Sequence, residues 1–136
     1  MIVANMATFP PRAENLPQVV DRILPQVDRL NIVFNEYDSV PDKYKNRPGL
    51  CPIIPEEDTK DVGKFYPDVS DADYVFLIDD DVEYPKDYIA EMVSKFDALP
   101  EGRFLGGLHT SIYRKPEPGL TIQQMRRYVR YHLFPR

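Results

Sequence analysis

The chain of 136 residues has a single cysteine, Cys51. That excludes an internal disulfide and any zinc site built on cysteine. Within the apolar run at residues 50–54, Cys51 reads as a small core residue rather than a nucleophile. No apolar stretch is long enough to span a membrane, and no charged-then-apolar leader opens the sequence. The expectation from these absences is a soluble, cytoplasmic protein. Low-complexity linkers and internal repeats are also missing, and the 14 prolines fall mostly between periodic segments, punctuating one domain. Acidic residues are scarce near the end. Residues 1–100 hold 20 of the 22 acids and 10 of the 17 bases, a balance of -10, whereas residues 101–136 hold 2 acids and 7 bases, a balance of +5. The acidic body argues against a nucleic-acid partner.

The most apolar run, Tyr74-Val75-Phe76-Leu77-Ile78, leads directly into Asp79-Asp80-Asp81. Because the run does not alternate, it predicts a strand buried on both faces in the middle of a parallel sheet. Ligands in open α/β sheets gather beyond the carboxyl ends of such strands. Three adjacent carboxylates repel, each close pair by about 1 kcal/mol in bulk water and more near a dry strand end. A divalent cation would relieve that repulsion, and hard oxygen ligands suit Mg²⁺ or Mn²⁺ carrying a phosphate-bearing substrate. The plainer reading is a solvated turn capping the next helix. Spacing argues against it, since Pro85 suits a first helical turn and leaves the aspartates several residues too early.

Elsewhere, strands are expected at 1–8, 31–35, 51–54 and 104–108. Leu16, Val19, Val20, Ile23, Leu24, Val27 and Leu30 recur at helical spacing, with Pro25 ending or kinking that helix near Leu24. A second helix is expected over 85–99, a short one within 56–66, and a third over 121–133, capped by Thr121 and striped by Ile122, Met125, Val129 and Leu133. Alternating strands and helices predict an α/β class with a mainly parallel sheet.

Four segments recur together in one order: Ala4-Asn5-Met6-Ala7-Thr8-Phe9-Pro10-Pro11-Arg12, then Val33-Phe34-Asn35 leading to Val40-Pro41, then Asp61-Val62-Gly63-Lys64-Phe65-Tyr66, and finally Phe76-Leu77-Ile78-Asp79-Asp80-Asp81 with Tyr84-Pro85 behind it. In these the chain resembles the GT-A nucleotide-sugar glycosyltransferases, especially the bacterial family 2-like enzymes. The resemblance implies one Rossmann-like domain over 1–136, a mainly parallel sheet flanked by helices, with 121–136 a basic C-terminal helix. It implies metal-dependent, inverting transfer of a sugar from a UDP- or GDP-linked donor to an unidentified acceptor, with Mn²⁺ or Mg²⁺ as cofactor. Carried over by position, Asp79 and Asp81 are the metal ligands. Thr8, Arg12, Asn35, Asp61, Lys64, Asp79 and Asp80 line the nucleotide-sugar site. Arg12 can fork onto phosphate or stack on a base, and Lys64 can act as a point charge. For Arg12, Lys64 and Asn35, ordinary surface or turn roles stand beside these.

The chain also departs from that family. It is shorter than the enzymes it resembles, which continue into an acceptor-binding part, so a truncated or minimal form is expected. After residue 104 the only acid is Glu117, in a prolyl loop unsuited to a tuned base. His109 is the remaining candidate for general base or extra metal ligand, against a structural role. A nucleotide-sugar-binding module without complete catalytic machinery is therefore the alternative. A haloacid-dehalogenase-type phosphatase would carry its aspartates after the first strand, and a nucleotidyltransferase would have glycines between Thr8 and Arg12. The tail Arg126-Arg127-Tyr128-Val129-Arg130-Tyr131-His132 suits docking on a second subunit or a missing domain, or contact with anionic lipid at the inner membrane; we favour docking.

Overall fold

The computed structural model describes residues 1–100, Gly102, Gly106, His109–Tyr113 and Val129–Leu133. The chain divides into two compact units, Met1–Ala98 and Leu99–Arg136. In the first unit the elements run β1 (Ile2–Thr8), α1 (Leu16–Ile23), β2 (Arg29–Phe34), β3 (Leu50–Ile53), β4 (Tyr74–Ile78) and α2 (Tyr88–Asp97). The four strands form one sheet in the order β3-β2-β1-β4, and every pairing is parallel. The architecture is α/β, as the alternation of periods predicts.

One face of the sheet carries the core. Ala4, Met6, Leu30, Ile32, Phe34, Phe76 and Ile78 pack on Leu16, Val19, Val20 and Ile23 of α1 and on Ile89 and Met92 of α2. Eight residues without a side-chain cap would not hold a helix in isolation. Four buried aliphatic side chains, each contributing roughly 1.5–3 kcal/mol, make α1 a tertiary product. Its α-helical turn ends at Ile23, and Leu24–Gln26 tightens to 3₁₀ around Pro25.

The opposite face is covered near β1 and β2 by a 3₁₀ segment, Lys60–Phe65. Buried asparagines fix it there. Asn31 Nδ2 donates to Asn5 Oδ1 (2.8 Å), and Asn5 Nδ2 donates to the Lys64 carbonyl (3.0 Å). At the other end, Asn35 Nδ2 donates to the Lys60 carbonyl (3.0 Å), while its Oδ1 accepts from the Thr59 N–H (3.0 Å) and hydroxyl (2.7 Å). Gly63 lies between them: a Cβ there would stand 2.3 Å from Thr59 Oγ1 and 3.3 Å from both Ala7 Cβ and Val33 Cγ1. This segment needs glycine for close approach.

Several expectations are corrected, the first being Cys51, which is exposed on β3 rather than a small core residue. β4 lies at the edge of the described sheet, and Val75 and Leu77 are each 42% exposed while Phe76 and Ile78 are buried. Its unbroken apolar run is buried on one face, and β1 and β2 occupy the middle. Helix α2 starts at Tyr88 rather than Pro85, because Tyr84 turns inward, buried, and the chain makes a turn at Lys86 and Asp87 before the helix begins. In the second unit, Val129–Leu133 is a strand, β6, paired antiparallel with β5 (His109–Tyr113) in the register His109↔Leu133 to Tyr113↔Val129. The expected helix therefore does not extend through 129–133, where Val, Tyr and Leu alternate with Arg and His at the period of a strand. Its remainder, 121–128, lies outside the described residues. Of the strand expected at 104–108, Gly106 is not in a strand and the other residues lie outside the described set. No helix among the described residues is long and apolar enough to cross a membrane.

Candidate functional site

β1 and β4 are adjacent and parallel, so their carboxyl ends deliver Thr8 and Asp79 to the same edge of the sheet. The loop after β2 brings Asn35, and the 3₁₀ segment brings Asp61 and Lys64. Together with Phe9, Arg12, Asp80 and Asp81 they line a cleft of about 590 Å³. The position agrees with the general rule for parallel sheets.

The three aspartates separate into distinct environments. Asp79 is half-exposed; its Oδ1 accepts from Lys64 Nζ at 2.7 Å, and its backbone N–H donates to Tyr84 Oη at 2.9 Å. Asp80 is the buried member, its side chain only 8% exposed. Its Oδ1 accepts from Arg12 Nη1 at 3.0 Å, but its Oδ2 has no partner. Asp81, half-exposed, pairs through Oδ2 with that same Nη1. Thus Asp80 and Asp81 converge on one point, and Asp79 turns toward Lys64. The hydroxyl of Thr8 is buried and unpartnered as well.

Each cation bridges two acids. Lys64, with 14% of its side chain exposed, also reaches Asp61 Oδ1 at 3.0 Å. Burial pulls its ammonium pKa down, but the bonds to Asp79 and Asp61 outweigh that and raise it. Arg12 behaves alike: burial opposes its charge, and Asp80 and Asp81 more than restore it. Its guanidinium carbon stands 5.6 Å from the centroid of the Phe9 ring, a cation–π contact. Tyr84 is held protonated, its pKa pushed up to about 12 by burial.

The cleft therefore gathers all the residues expected at a nucleotide-sugar site: Thr8, Arg12, Asn35, Asp61, Lys64, Asp79, Asp80 and Asp81. Asn35 differs from the expectation in one respect, since both ends of its amide are committed to Thr59 and Lys60. His109 opens β5 in the second unit, and its side chain lies outside the described residues. Among the described residues no group of three or more His, Cys, Asp and Glu side chains is arranged to hold a metal ion. Comparison with models of known protein families found no match, and none of the curated proteins matches the chain.

Asn5, Phe9 and Tyr84 stand in the motif segments, but the sequence assigned no role to them, to Lys60 or to Asn31. Asn5 and Asn31 did carry a signal: each interrupts an otherwise apolar strand, and a polar side chain in such a run must find a partner. For Lys60, held at φ 49°, nothing in the local sequence announces the left-handed turn that brings it to the cleft.

Proposed function

We propose that the protein is a metal-dependent glycosyltransferase of the GT-A type, transferring a sugar from a nucleoside-diphosphate sugar to an acceptor. The observation that carries this reading is the convergence of three aspartates, one arginine and one partly buried lysine on one cleft at the carboxyl edge of a parallel sheet. Departure of a nucleoside diphosphate leaves negative charge that fixed cations are suited to hold.

Two features support a fit to Mg²⁺ or Mn²⁺. Asp80 Oδ2 is a buried carboxylate oxygen without a partner, and carboxylate oxygens of Asp80 and Asp81 already reach a shared cation. Magnesium keeps several waters and needs only one or two carboxylates besides substrate phosphates. Asp80 and Asp81 would hold the ion, rather than the Asp79–Asp81 pair read from sequence. Once bound, the ion would stabilise the diphosphate leaving group without a proton. The chain's own residues do the rest. Lys64, immobilised by Asp79, Asp61 and the Asn5 bond to its carbonyl, presents a fixed positive charge on one wall. Arg12 offers a planar fork on the other. Tyr84 fixes the backbone at Asp79, so the aspartate loop leaves β4 in one direction. His109 remains the candidate base from sequence alone.

The alternative is a binding module that takes the donor without turnover. Calorimetric titration of UDP and GDP with and without Mn²⁺, followed by assay for hydrolysis of the matching nucleotide sugar, separates the two. Metal-dependent binding with turnover is the expected result. Binding without turnover assigns the module, and Asp81→Ala is expected to abolish the metal dependence while leaving the circular-dichroism spectrum intact. If neither nucleotide binds under any condition, the donor-site reading is wrong.

A further inference from the structure

We propose that Arg12 is a built-in cation of the aspartate cluster: its guanidinium holds the point where Asp80 and Asp81 converge, and a divalent ion binds there only by displacing it. One atom, Nη1, reaches Asp80 Oδ1 at 3.0 Å and also Asp81 Oδ2. The second oxygen of Asp80 has no partner although the side chain is more than nine-tenths buried, and Asp80 lines the cleft. The site thus has more acceptor capacity than Arg12 uses, as expected of a place shaped for a cation of higher charge.

Arg12 can leave without unfolding anything. Its backbone is fixed in the 3₁₀ turn Pro10–Arg12, stiffened by two prolines and by the Arg12 N–H bond to the Phe9 carbonyl (2.9 Å). The side chain is 35% exposed, so once its bonds to Asp80 and Asp81 are exchanged it has open solvent to turn into. The face of Phe9 already lies beside it and can retain the weakly hydrated guanidinium at the cleft rim. There the fork is released to take a phosphate oxygen pair. Lys64 has no such freedom, being more buried and engaged with Asp61 and Asp79.

The consequence is reciprocal coupling. A divalent ion frees Arg12 for an anion, and an anion that captures Arg12 clears Asp80 and Asp81 for the ion, so each raises the affinity of the other by the same factor. The nucleotide half of this statement rests on the proposed donor site; the metal half does not.

The test is titration of Mn²⁺ alone, then UDP alone, then each in the presence of the other, into the parent protein and Arg12→Met. Loss of two partly exposed charge-assisted contacts predicts that Arg12→Met binds Mn²⁺ about tenfold tighter. It should bind UDP more weakly, and the coupling factor should fall toward one. Equal or weaker Mn²⁺ affinity in Arg12→Met overturns the proposal, as does failure of both proteins to bind Mn²⁺. If Arg12→Met gains metal affinity while neither protein binds UDP or GDP, the displacement stands and the nucleotide reading falls. A measurement on the unaltered protein guards against a misfolded variant. Titration with diamagnetic Mg²⁺ should shift the Arg12 guanidinium ¹⁵N resonances and speed their proton exchange with water, and unmoved resonances at saturating Mg²⁺ would also overturn it.

Discussion

Gly63→Ala offers the sharpest test of how the cleft is supported. The added methyl carbon would stand 2.3 Å from Thr59 Oγ1, a separation that cannot persist, and 3.3 Å from Ala7 Cβ and Val33 Cγ1. The last two belong to β1 and β2, the most buried strands, so the 3₁₀ segment must lift instead. Overpacking of this kind costs about 1–3 kcal/mol. Thr59 must also rotate away, giving up its hydroxyl bond to Asn35 Oδ1 at 2.7 Å, for about 1 kcal/mol more. The total expected is about 2–4 kcal/mol, read as a lower midpoint in urea with unchanged slope. Thr59→Ala alone should cost about 1 kcal/mol. In the double variant the lost hydroxyl bond is counted once and the worst clash is gone. The sum of the single effects should therefore exceed the measured value by about 1–2 kcal/mol, a coupling within reach of a double-mutant cycle. Strict additivity, or a Gly63→Ala protein within 0.5 kcal/mol of the parent, which is about what an ordinary surface change costs, would refute the packing argument.

Three further outcomes are expected. Asn5→Ala leaves both the Lys64 carbonyl and the Asn31 amide without their partner, and should lower stability by about 2–4 kcal/mol in urea melts, more than Asn31→Ala, which strands only one group. Tyr84→Phe removes the acceptor of the Asp79 N–H and should cost about 1–2 kcal/mol, with faster amide exchange at Asp79 as its signature; unchanged exchange there would dismiss Tyr84 as a clamp. Tyr44 and Tyr84 are pushed by burial from the ordinary value of 10 to about 12, so the folded state prefers both protonated. Their contribution is whole below pH 10 and is lost as pH rises through 12, and tyrosinate absorbance should report at least two of the nine tyrosines, Tyr44 and Tyr84 among them, ionising late and together with unfolding. Titration of all nine near pH 10 with the fold intact would contradict that.

The sequence was most informative where period and chemistry agreed. The spacing of Leu16, Val19, Val20 and Ile23 defined the buried face of α1, and Pro25 marked its end to within a residue. The aspartates beyond Ile78 located the cleft. The same local reading misplaced β4, because Tyr74–Ile78 is apolar at every position and local pattern cannot tell a central strand from an edge strand whose second face stays partly exposed. The strand at Val129–Leu133 escaped for a related reason. Val129 and Leu133 are four apart, which satisfies a helix, and also an even number apart, which satisfies a strand. Pairing with His109–Tyr113 decides between them, and pairing is not a local property. The division of the aspartates was equally hidden. A D-x-D spacing suggests that Asp79 and Asp81 act together, whereas Tyr84 fixes the backbone at Asp79 and Lys64 takes its side chain, leaving Asp80 and Asp81 to share Arg12.

That division changes the electrostatic argument for a ligand. Repulsion within the triplet does not by itself require a divalent ion, since Arg12 bridges Asp80 and Asp81 while Lys64 bridges Asp79 and Asp61, and each cation offsets part of the charge of its pair. The whole cleft is nevertheless negative: Glu36, Asp58, Asp61, Asp79, Asp80 and Asp81 line it against Arg12, Lys60 and Lys64, six acids against three bases. A nucleoside diphosphate entering alone would carry its negative charge into that excess, and each like-charged pair near 4 Å costs about 1 kcal/mol in water-like surroundings and about 4 kcal/mol nearer the protein. Arg12 and Lys64 cannot offset this while they remain bound to aspartates, and Lys60 alone does not. A divalent ion would cut that excess from three charges to one and, on the proposed displacement, would free a guanidinium to face the phosphates. On the proposed reading, nucleotide binding should depend on metal because of the charge count around the cleft, and a nucleotide bound equally well in EDTA and in Mn²⁺ would mean that the phosphates lie elsewhere.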